Sequence, residues 1–252
     1  MSALHRAGAD LPRPAWGAWI KLPGTESTEI LALAGFDFCV VDLEHTVLDL
    51  RQVAAHITIG SSLGLRMLVR VPDHTPSTMQ RLLDSGAHGV VAPHVDHPDA
   101  ADHVVSASTF PPRGTRGSGA TSRAGEFGHR PRAAYLAAAP LVVAQLESVA
   151  AVRAAAEISV VDGLGATLLG PADLALDPAR PELETSADIA AAVVAATHAA
   201  GRLAGTACPA ERAAQEAGHG FDFLVCANDS TLMASAAREV IASLRDVTGA
   251  PA

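Results

Sequence analysis

The sequence predicts a (β/α)8 barrel, the TIM barrel of the α/β class, formed as a single domain by residues 1–252. Three observations predict it: short apolar runs alternate with longer helical patterns, there are eight such pairs, and the chain has 252 residues. Strands that alternate with helices form a parallel sheet, and eight repeats over about 250 residues are typical of a closed barrel. An open doubly wound sheet is the alternative, although no Gly-x-Gly-x-x-Gly motif follows the first strand.

Eight largely apolar runs are predicted as strands, at 15–22, 36–42, 66–71, 89–95, 141–146, 166–169, 202–207 and 221–227. Between and after them lie the predicted helices, at 25–34, 49–63, 75–84, 98–108, 148–158, 186–200, 209–217 and 230–244. Gly35, Gly64 and Gly201 each follow a predicted helix, where glycine commonly ends one. A polar loop rich in glycine and arginine, 111–129, precedes the fifth strand.

The composition excludes several classes of partner. The net charge is -9 and no basic patch stands out, so no nucleic acid is expected to bind. No apolar run approaches the roughly 20 residues that span a bilayer, and residues 1–14 are polar, contain proline and are expected to be flexible. We therefore expect a cytoplasmic protein without a membrane partner. Charged residues make up only 18%, which indicates surface buried between subunits.

A barrel enzyme carries its chemistry at the carboxyl ends of its strands. Many polar residues are predicted there: Lys21, Asp42, Glu44, His45, Arg70, His94, Gln145, Glu147, Asp173, Asn228 and Asp229. The set is rich in carboxylates, and two of them with room for substrate suit Mg2+ or Mn2+. Such an ion stabilises the enolate of a 2-oxo acid. The chain has no Gly-x-Ser-x-Gly motif of a serine hydrolase.

Each of these residues also has a purely structural interpretation. Considered alone, Glu147 and Asp173 fit helix caps, and Asp42 with Arg70 fits a structural ion pair. His94 is interpreted as a core histidine with a satisfied hydrogen bond. Asp84, at the end of a predicted helix, fits an ordinary helix surface. Their shared location on one face of the predicted barrel favours a functional site without deciding it.

Several motifs, in order along the chain, resemble those of one family. They are Val41-Asp42-Leu43-Glu44-His45, Val69-Arg70-Val71, Leu82-Leu83-Asp84-Ser85-Gly86, Pro111-Pro112-Arg113-Gly114-Thr115-Arg116-Gly117, Gln145-Leu146-Glu147 and Gly170-Pro171-Ala172-Asp173-Leu174. From about Trp16 to Leu244 the sequence resembles the HpcH/HpaI aldolases. These are metal-dependent (class II) pyruvate aldolases typified by 4-hydroxy-2-oxoheptanedioate aldolase.

The resemblance implies a reaction and a metal site. The reaction is the reversible cleavage of a 4-hydroxy-2-oxo acid to pyruvate, or a related 2-oxo acid, and an aldehyde. Glu147 and Asp173 would be ligands of a divalent cation, Mg2+ or Mn2+ first, with Co2+ or Zn2+ as alternatives. The backbone of Gly170, Pro171, Ala172 and Asp173 would bind the carboxylate of the substrate.

The resemblance also implies roles for residues around the metal. Arg70 would bind substrate and face the enolate oxygen, with Asp42 supporting it. His45, oriented by Asp84, would act with a water as the acid and base. Gln145 would line the substrate site. The family further implies a homo-hexamer, a trimer of dimers that exchange their last helices.

Three departures from the family pattern leave the aldehyde side of the site open. His94 stands where an apolar residue is usual, Cys226-Ala227-Asn228-Asp229 replaces a glycine-containing ending of strand eight, and residues 176–185 form a shorter stretch than usual.

Three other functions stay open at this point. An oxaloacetate decarboxylase would use the same metal and enolate. A Schiff-base aldolase would need Lys21, the sole lysine of the chain, as its nucleophile. A non-catalytic barrel would only bind a metabolite.

Overall fold

In the computed structural model, eight parallel strands close into a barrel, which confirms the predicted (β/α)8 architecture. The structure describes residues 12–183 and 185–248. The strands are β1 (Ala15–Ile20), β2 (Phe38–Asp42), β3 (Arg66–Arg70), β4 (Gly89–Ala92), β5 (Leu141–Leu146), β6 (Ala166–Leu169), β7 (Leu203–Ala207) and β8 (Phe223–Asn228). They pair in chain order, and β8 pairs with β1 to close the barrel. All carboxyl ends therefore lie on one face.

The helices lie on the outside of the barrel and run back against the strands. Those of the described residues are α1 (Glu26–Ala34), α2 (Leu50–Ser62), α3 (Pro76–Asp84), α4 (Pro98–Ser108), α5 (Arg132–Leu136), α6 (Val149–Arg153), α7 (Ala155–Ser159), α8 (Pro171–Leu174), α9 (Ser186–Ala199), α10 (Ala213–Gly218) and α11 (Asp229–Thr248). None of them is long and apolar enough to cross a membrane.

The element bounds differ from the predicted ones at a few places. The fourth strand ends at Ala92, short of residue 95, because Pro93 has no N–H for the ladder and His94 has a left-handed φ of 51°. The predicted helix 148–158 is divided at Ala154 into α6 and α7. The short helix α8 was not predicted. Most of the expected flexible segment, residues 1–14, lies outside the described residues.

Alternate residues of each strand point to opposite sides of the barrel wall, and this builds two apolar layers. In β2, Phe38 and Val40 pack inside the barrel, whereas Cys39 and Val41 pack against the helices. All five β2 residues are buried. A strand buried on both faces needs apolar residues at consecutive positions, which explains the continuous apolar run in the sequence.

The same alternation places polar side chains inside the upper end of the barrel. Asp42 follows Phe38 and Val40 by the same two-residue step, and Arg70 follows Leu68. Gln145 follows Val143, which packs inside the barrel. These polar residues therefore form the layer directly above the apolar interior, at the end where the strands finish.

Close packing in the lower barrel gives a test of this architecture. Gly205 pairs with Phe223, and a Cβ at position 205 would lie 2.2 Å from ring atoms of Phe223. We expect Gly205→Ala to lower the free energy of unfolding by about 1–3 kcal/mol, because the ring cannot move without disturbing its edge contact with Phe38. Urea unfolding measures this change. Gly218→Ala is the control, since no atom lies within 4 Å of its added Cβ. Equal losses in both variants would contradict the packing described here.

Candidate active site

An open cavity of about 840 Å3 lies at the carboxyl ends of the strands. This is the face on which barrel enzymes carry their sites. Many of the predicted site residues line it, namely Lys21, His45, Arg70, Gln145, Gly170, Pro171, Ala172 and Asp173. The structure thus brings together residues that are up to 152 positions apart in the sequence, from Lys21 to Asp173.

Arg70 and Asp42 form a two-point ion pair on the floor of this cavity. They are directly opposite one another on β3 and β2. Arg70 donates from Nε to Asp42 Oδ1 over 2.9 Å and from Nη2 to Oδ2 over 2.7 Å, and both residues are buried. Trp19 covers the guanidinium with its ring face, 4.4 Å from the ring centre. The pair is therefore fixed in position by two hydrogen bonds and a stacking contact.

Lys21 also binds Asp42, with Nζ 2.6 Å from Oδ2. Burial by itself would raise the pKa of Asp42, but the hydrogen bonds and positive charges of Arg70 and Lys21 outweigh it and lower that pKa to about 2. Because a Schiff-base nucleophile must be a neutral amine, this ion pair disfavours Lys21 in that role.

Glu147 follows β5 and is 3% exposed. Its Oε1 accepts a hydrogen bond of 2.7 Å from the backbone N–H of His94, and its Oε2 accepts one from Gln145 Nε2. Burial raises the pKa of Glu147, and the nearby charges of Glu44 and Asp173 raise it further, against the lowering effect of His94. A buried carboxylate with two acidic neighbours would be stabilised by a cation.

Asp173 belongs to the short helix α8, which begins directly after Gly170. No hydrogen bond or ion pair of its carboxylate is found among the described residues, although its charge acts on Glu147. A Cβ on Gly170 would lie only 2.9 Å from Glu147 Cβ, so glycine allows this loop to approach β5 closely. Asp173 thus has carboxylate oxygens available to a ligand beside Glu147.

Two site residues had no assigned role in the sequence interpretation, Glu44 and His94. The expectation that His94 is a core histidine is wrong, because its side chain is 66% exposed. Its Nδ1 lies 3.0 Å from Glu147 Oε1, and its Nε2 lies 3.2 Å from Glu44 Oε1. Glu44 Oε2 in turn lies 3.0 Å from Arg70 Nη1. Glu44 follows Asp42 by two residues, as the inward-facing residues of β2 follow one another, and this spacing could have identified Glu44 from the sequence. No comparable pattern in the sequence identifies the turn at His94.

His45 and Asp84 are not brought together within one chain. The His45 ring is half exposed at the cavity, with Nε2 3.7 Å from Glu44 Oε2. Asp84 ends α3, which runs back toward the opposite face of the barrel, and its Oδ1 accepts a hydrogen bond of 2.7 Å from Arg116. The expected orientation of His45 by Asp84 therefore fails within a single chain and would require a second copy.

The donor set fits a divalent cation. Glu147 and Asp173 offer hard oxygen ligands, as Mg2+ and Mn2+ prefer. Gln145, which donates to Glu147, has a buried Oε1 without a hydrogen-bond partner, which is unusual for a buried amide oxygen unless it faces a ligand or water. One atom each of Glu44, His94 and Glu147 also lie within 4.8 Å of one another, a spacing that suits a metal ion.

The chain matches known proteins over most of its length. A family model described as HpcH/HpaI aldolase/citrate lyase matches residues 16–236. A hydroxypyruvate/pyruvate aldolase of Rhizorhabdus wittichii is 36% identical over 92% of this chain and 95% of its own. A 4-hydroxy-2-oxovalerate aldolase of Rhodococcus jostii is 36% identical over 86% of each chain.

Solved structures agree with the sequence relatives. An HpcH/HpaI aldolase/citrate lyase family protein from Burkholderia cenocepacia superposes with a TM-score of 0.85 and 30% identity, covering 95% of this chain and 96% of its own.

The lowered pKa of Asp42 predicts how its contribution to stability changes with pH. Asp42→Asn should lower the free energy of unfolding by about 3–5 kcal/mol at pH 7, because it leaves the buried Arg70 and the partly buried Lys21 without their anion. A carboxylate with a lowered pKa stabilises the fold above its unfolded pKa and loses this effect as the pH falls toward its folded value. The difference between the variant and the wild type should therefore narrow by about 1 kcal/mol at pH 3.

Urea unfolding of both proteins at pH 7 and pH 3 measures this difference. Asp162→Asn is a suitable control, since that side chain is 85% exposed and its substitution should show little effect at either pH. A difference that stays constant between pH 7 and pH 3 would show that Asp42 does not hold its charge in the way described.

Proposed function

Because the chain belongs to the HpcH/HpaI aldolase/citrate lyase family, we propose that it is a divalent-metal-dependent aldolase. It would cleave a 4-hydroxy-2-oxo acid reversibly to an aldehyde and pyruvate or a related 2-oxo acid such as hydroxypyruvate. One observation supports this most: a buried carboxylate, Glu147, and a half-buried one, Asp173, share one site with a guanidinium, Arg70, whose position is fixed. This combination suits an anionic substrate that gains charge on a keto oxygen.

Glu147 and Asp173 would hold the cation, since both are carboxylates at the ends of neighbouring strands. When bound, the cation withdraws electrons from the keto oxygen of the 2-oxo acid and so favours the enolate. Mg2+ or Mn2+ suits two carboxylates, and Co2+ or Zn2+ remains an alternative.

Arg70 would face the oxygen that becomes negative in the enolate. Its guanidinium has five N–H groups, of which Nε and one on Nη2 bind Asp42, while Nη1 lies against Glu44. About two N–H groups are therefore left for substrate. Removal of a single donor to a developing oxyanion typically costs about 10²–10³ in rate.

The loop from Gly170 to Asp173 would bind the carboxylate of the substrate. Pro171 has no N–H, and the N–H groups of Ala172 and Asp173 lie in the first turn of α8, where the helix provides no acceptor. Gln145, which already orients Glu147, would line the same part of the site. Backbone donors next to the cation would therefore fix the orientation of the 2-oxo acid.

His45 would move the proton, together with a water. A neutral imidazole is a competent base near neutral pH, and a carboxylate partner would fix its tautomer. Since Asp84 lies away from His45 in its own chain, the Asp84 of a second copy would have to supply that partner. This agrees with a homo-oligomer, for which we propose a hexamer. In the described residues α11 exposes several large apolar side chains, including Leu232, Met233 and Ile241.

The substrate proposal is tested by incubating the protein with a divalent metal, pyruvate or hydroxypyruvate, and a panel of aldehydes. We expect a 4-hydroxy-2-oxo acid by mass spectrometry, loss of the product after chelation, and its return with added Mg2+, Mn2+, Co2+ or Zn2+. Turnover of oxaloacetate alone, without any aldehyde product, would support the decarboxylase instead. Activity that survives chelation and is trapped by borohydride would contradict the metal mechanism.

The metal ligands are tested by a matched pair of variants. Glu147→Gln keeps the size of the side chain but removes the buried charge, so we expect Mn2+ affinity measured by calorimetry to fall about 100-fold. Glu157→Gln removes an exposed carboxylate of α7 and should leave the affinity unchanged. Unchanged affinity in Glu147→Gln would show that the ligand assignment is wrong.

The pairing of His45 with a second copy's Asp84 is tested by mixing inactive variants. His45→Ala and Asp84→Ala should each lose activity by about 100-fold or more. Co-expression of the two should restore part of the activity, because some sites in mixed oligomers contain both natural residues.

Co-expression of His45→Ala with Glu147→Gln is the control, and it should restore nothing since both residues belong to the same chain's site. A His45 and Asp84 mixture no more active than its components would rule out the pairing between copies.

A further inference from the structure

His94 holds an uncommon backbone conformation at the edge of the site. Its φ of 51° is left-handed, a region that residues other than glycine adopt rarely and often at functional sites. This conformation directs the backbone N–H at Glu147 Oε1, 2.7 Å away. The ring of the same residue also reaches Glu147, so the backbone N–H and the ring Nδ1 of His94 both lie close to the same carboxylate oxygen.

The two ring nitrogens have different partners. Nδ1 lies 3.0 Å from Glu147 Oε1, and Nε2 lies 3.2 Å from Glu44 Oε1. Two ligands about 2.1 Å from one ion, and at right angles to one another, are separated by about 3.0 Å. The spacing of Nδ1 and Glu147 Oε1 is therefore that of neighbouring ligands of one cation.

Glu44 would bind the other nitrogen of the His94 ring and so orient it. A histidine ligand usually donates its second N–H to a carboxylate, which fixes the tautomer and the orientation of the ring. Glu44 Oε1 is in position to accept from Nε2–H, and Arg70 holds the other oxygen of Glu44 at 3.0 Å. Nδ1 is then left with its lone pair directed toward Glu147.

A separate observation indicates that a ligand belongs at this place. Gln145 is 3% exposed, donates its Nε2 to Glu147 and leaves its Oε1 without a partner. A buried amide oxygen without a hydrogen bond is costly unless an ion or a water satisfies it. Gln145, whose Oε1 has no partner, and the His94 ring thus both contact Glu147.

We propose that His94 Nδ1 is a protein ligand of the cation held by Glu147 and Asp173, with Glu44 orienting the ring. The proposal rests on the metal site of the proposed function. Imidazole suits Co2+ and Zn2+, whereas a set of oxygen ligands alone suits Mg2+ and Mn2+. The nitrogen ligand therefore shifts the preference of this site toward Co2+ and Zn2+ relative to Mg2+.

Pulsed EPR of the Mn2+-loaded protein tests the nitrogen ligand without reference to activity. We expect modulation from a directly bound imidazole nitrogen in the wild type and its loss in His94→Gly. Glycine tolerates the left-handed backbone and keeps the N–H to Glu147, so this variant removes only the ring. His103→Ala is the control, because this histidine of α4 has a ring nitrogen 3.0 Å from the backbone oxygen of His74 and contacts neither glutamate.

Calorimetric titration with Co2+ and Mg2+ provides the second measurement. The ratio of Co2+ to Mg2+ affinity should fall about tenfold in His94→Gly and stay constant in His103→Ala. Bound Mn2+ without nitrogen modulation in the wild type, or modulation that persists in His94→Gly, would overturn the role of His94 and leave the proposed function intact. A wild-type protein that binds no divalent cation would overturn both.

Discussion

The ion pair between Arg70 and Asp42 is the interaction on which the site depends. It lies on the last inward positions of β3 and β2, directly above the apolar interior, and its two hydrogen bonds fix the guanidinium against the barrel wall. Its immediate neighbours bind to it in turn: Lys21 to Asp42, and Glu44 to Arg70. From Glu44 the contacts continue through His94 to Glu147. The proposed oxyanion donor and the proposed metal ligand are thus held by one connected set of charges.

The balance of charge in this set explains why a cation belongs there. Four carboxylates, those of Asp42, Glu44, Glu147 and Asp173, share this site with two basic side chains, Arg70 and Lys21. Burial makes the excess negative charge expensive, as the raised pKa of Glu147 indicates. A divalent cation would neutralise the excess while leaving the guanidinium free to face substrate. The same ion would therefore both stabilise the cluster of carboxylates and serve the proposed reaction.

Much of the fold and part of the site could be predicted from the sequence. Eight alternating units predicted the barrel, and the predicted strand ends placed Asp42, Arg70 and Gln145 at its mouth. Two features could not be predicted. The left-handed backbone of His94 arises after Pro93, where no local signal separates an exposed ring from a buried one. The location of Asp84 far from His45 follows from the direction of α3, which motif matching does not take into account.

The central claim is that this cluster and its cation form the enolate of a 2-oxo acid. The exchange of the methyl protons of pyruvate for deuterium in D2O tests that step alone. It is monitored by NMR in the absence of any aldehyde. With Mg2+ or Zn2+ bound, the wild type should exchange these protons, chelation should stop the exchange, and Arg70→Lys should slow it by about 10²-fold or more. Exchange that continues after chelation, or no exchange with any divalent cation, would contradict the account.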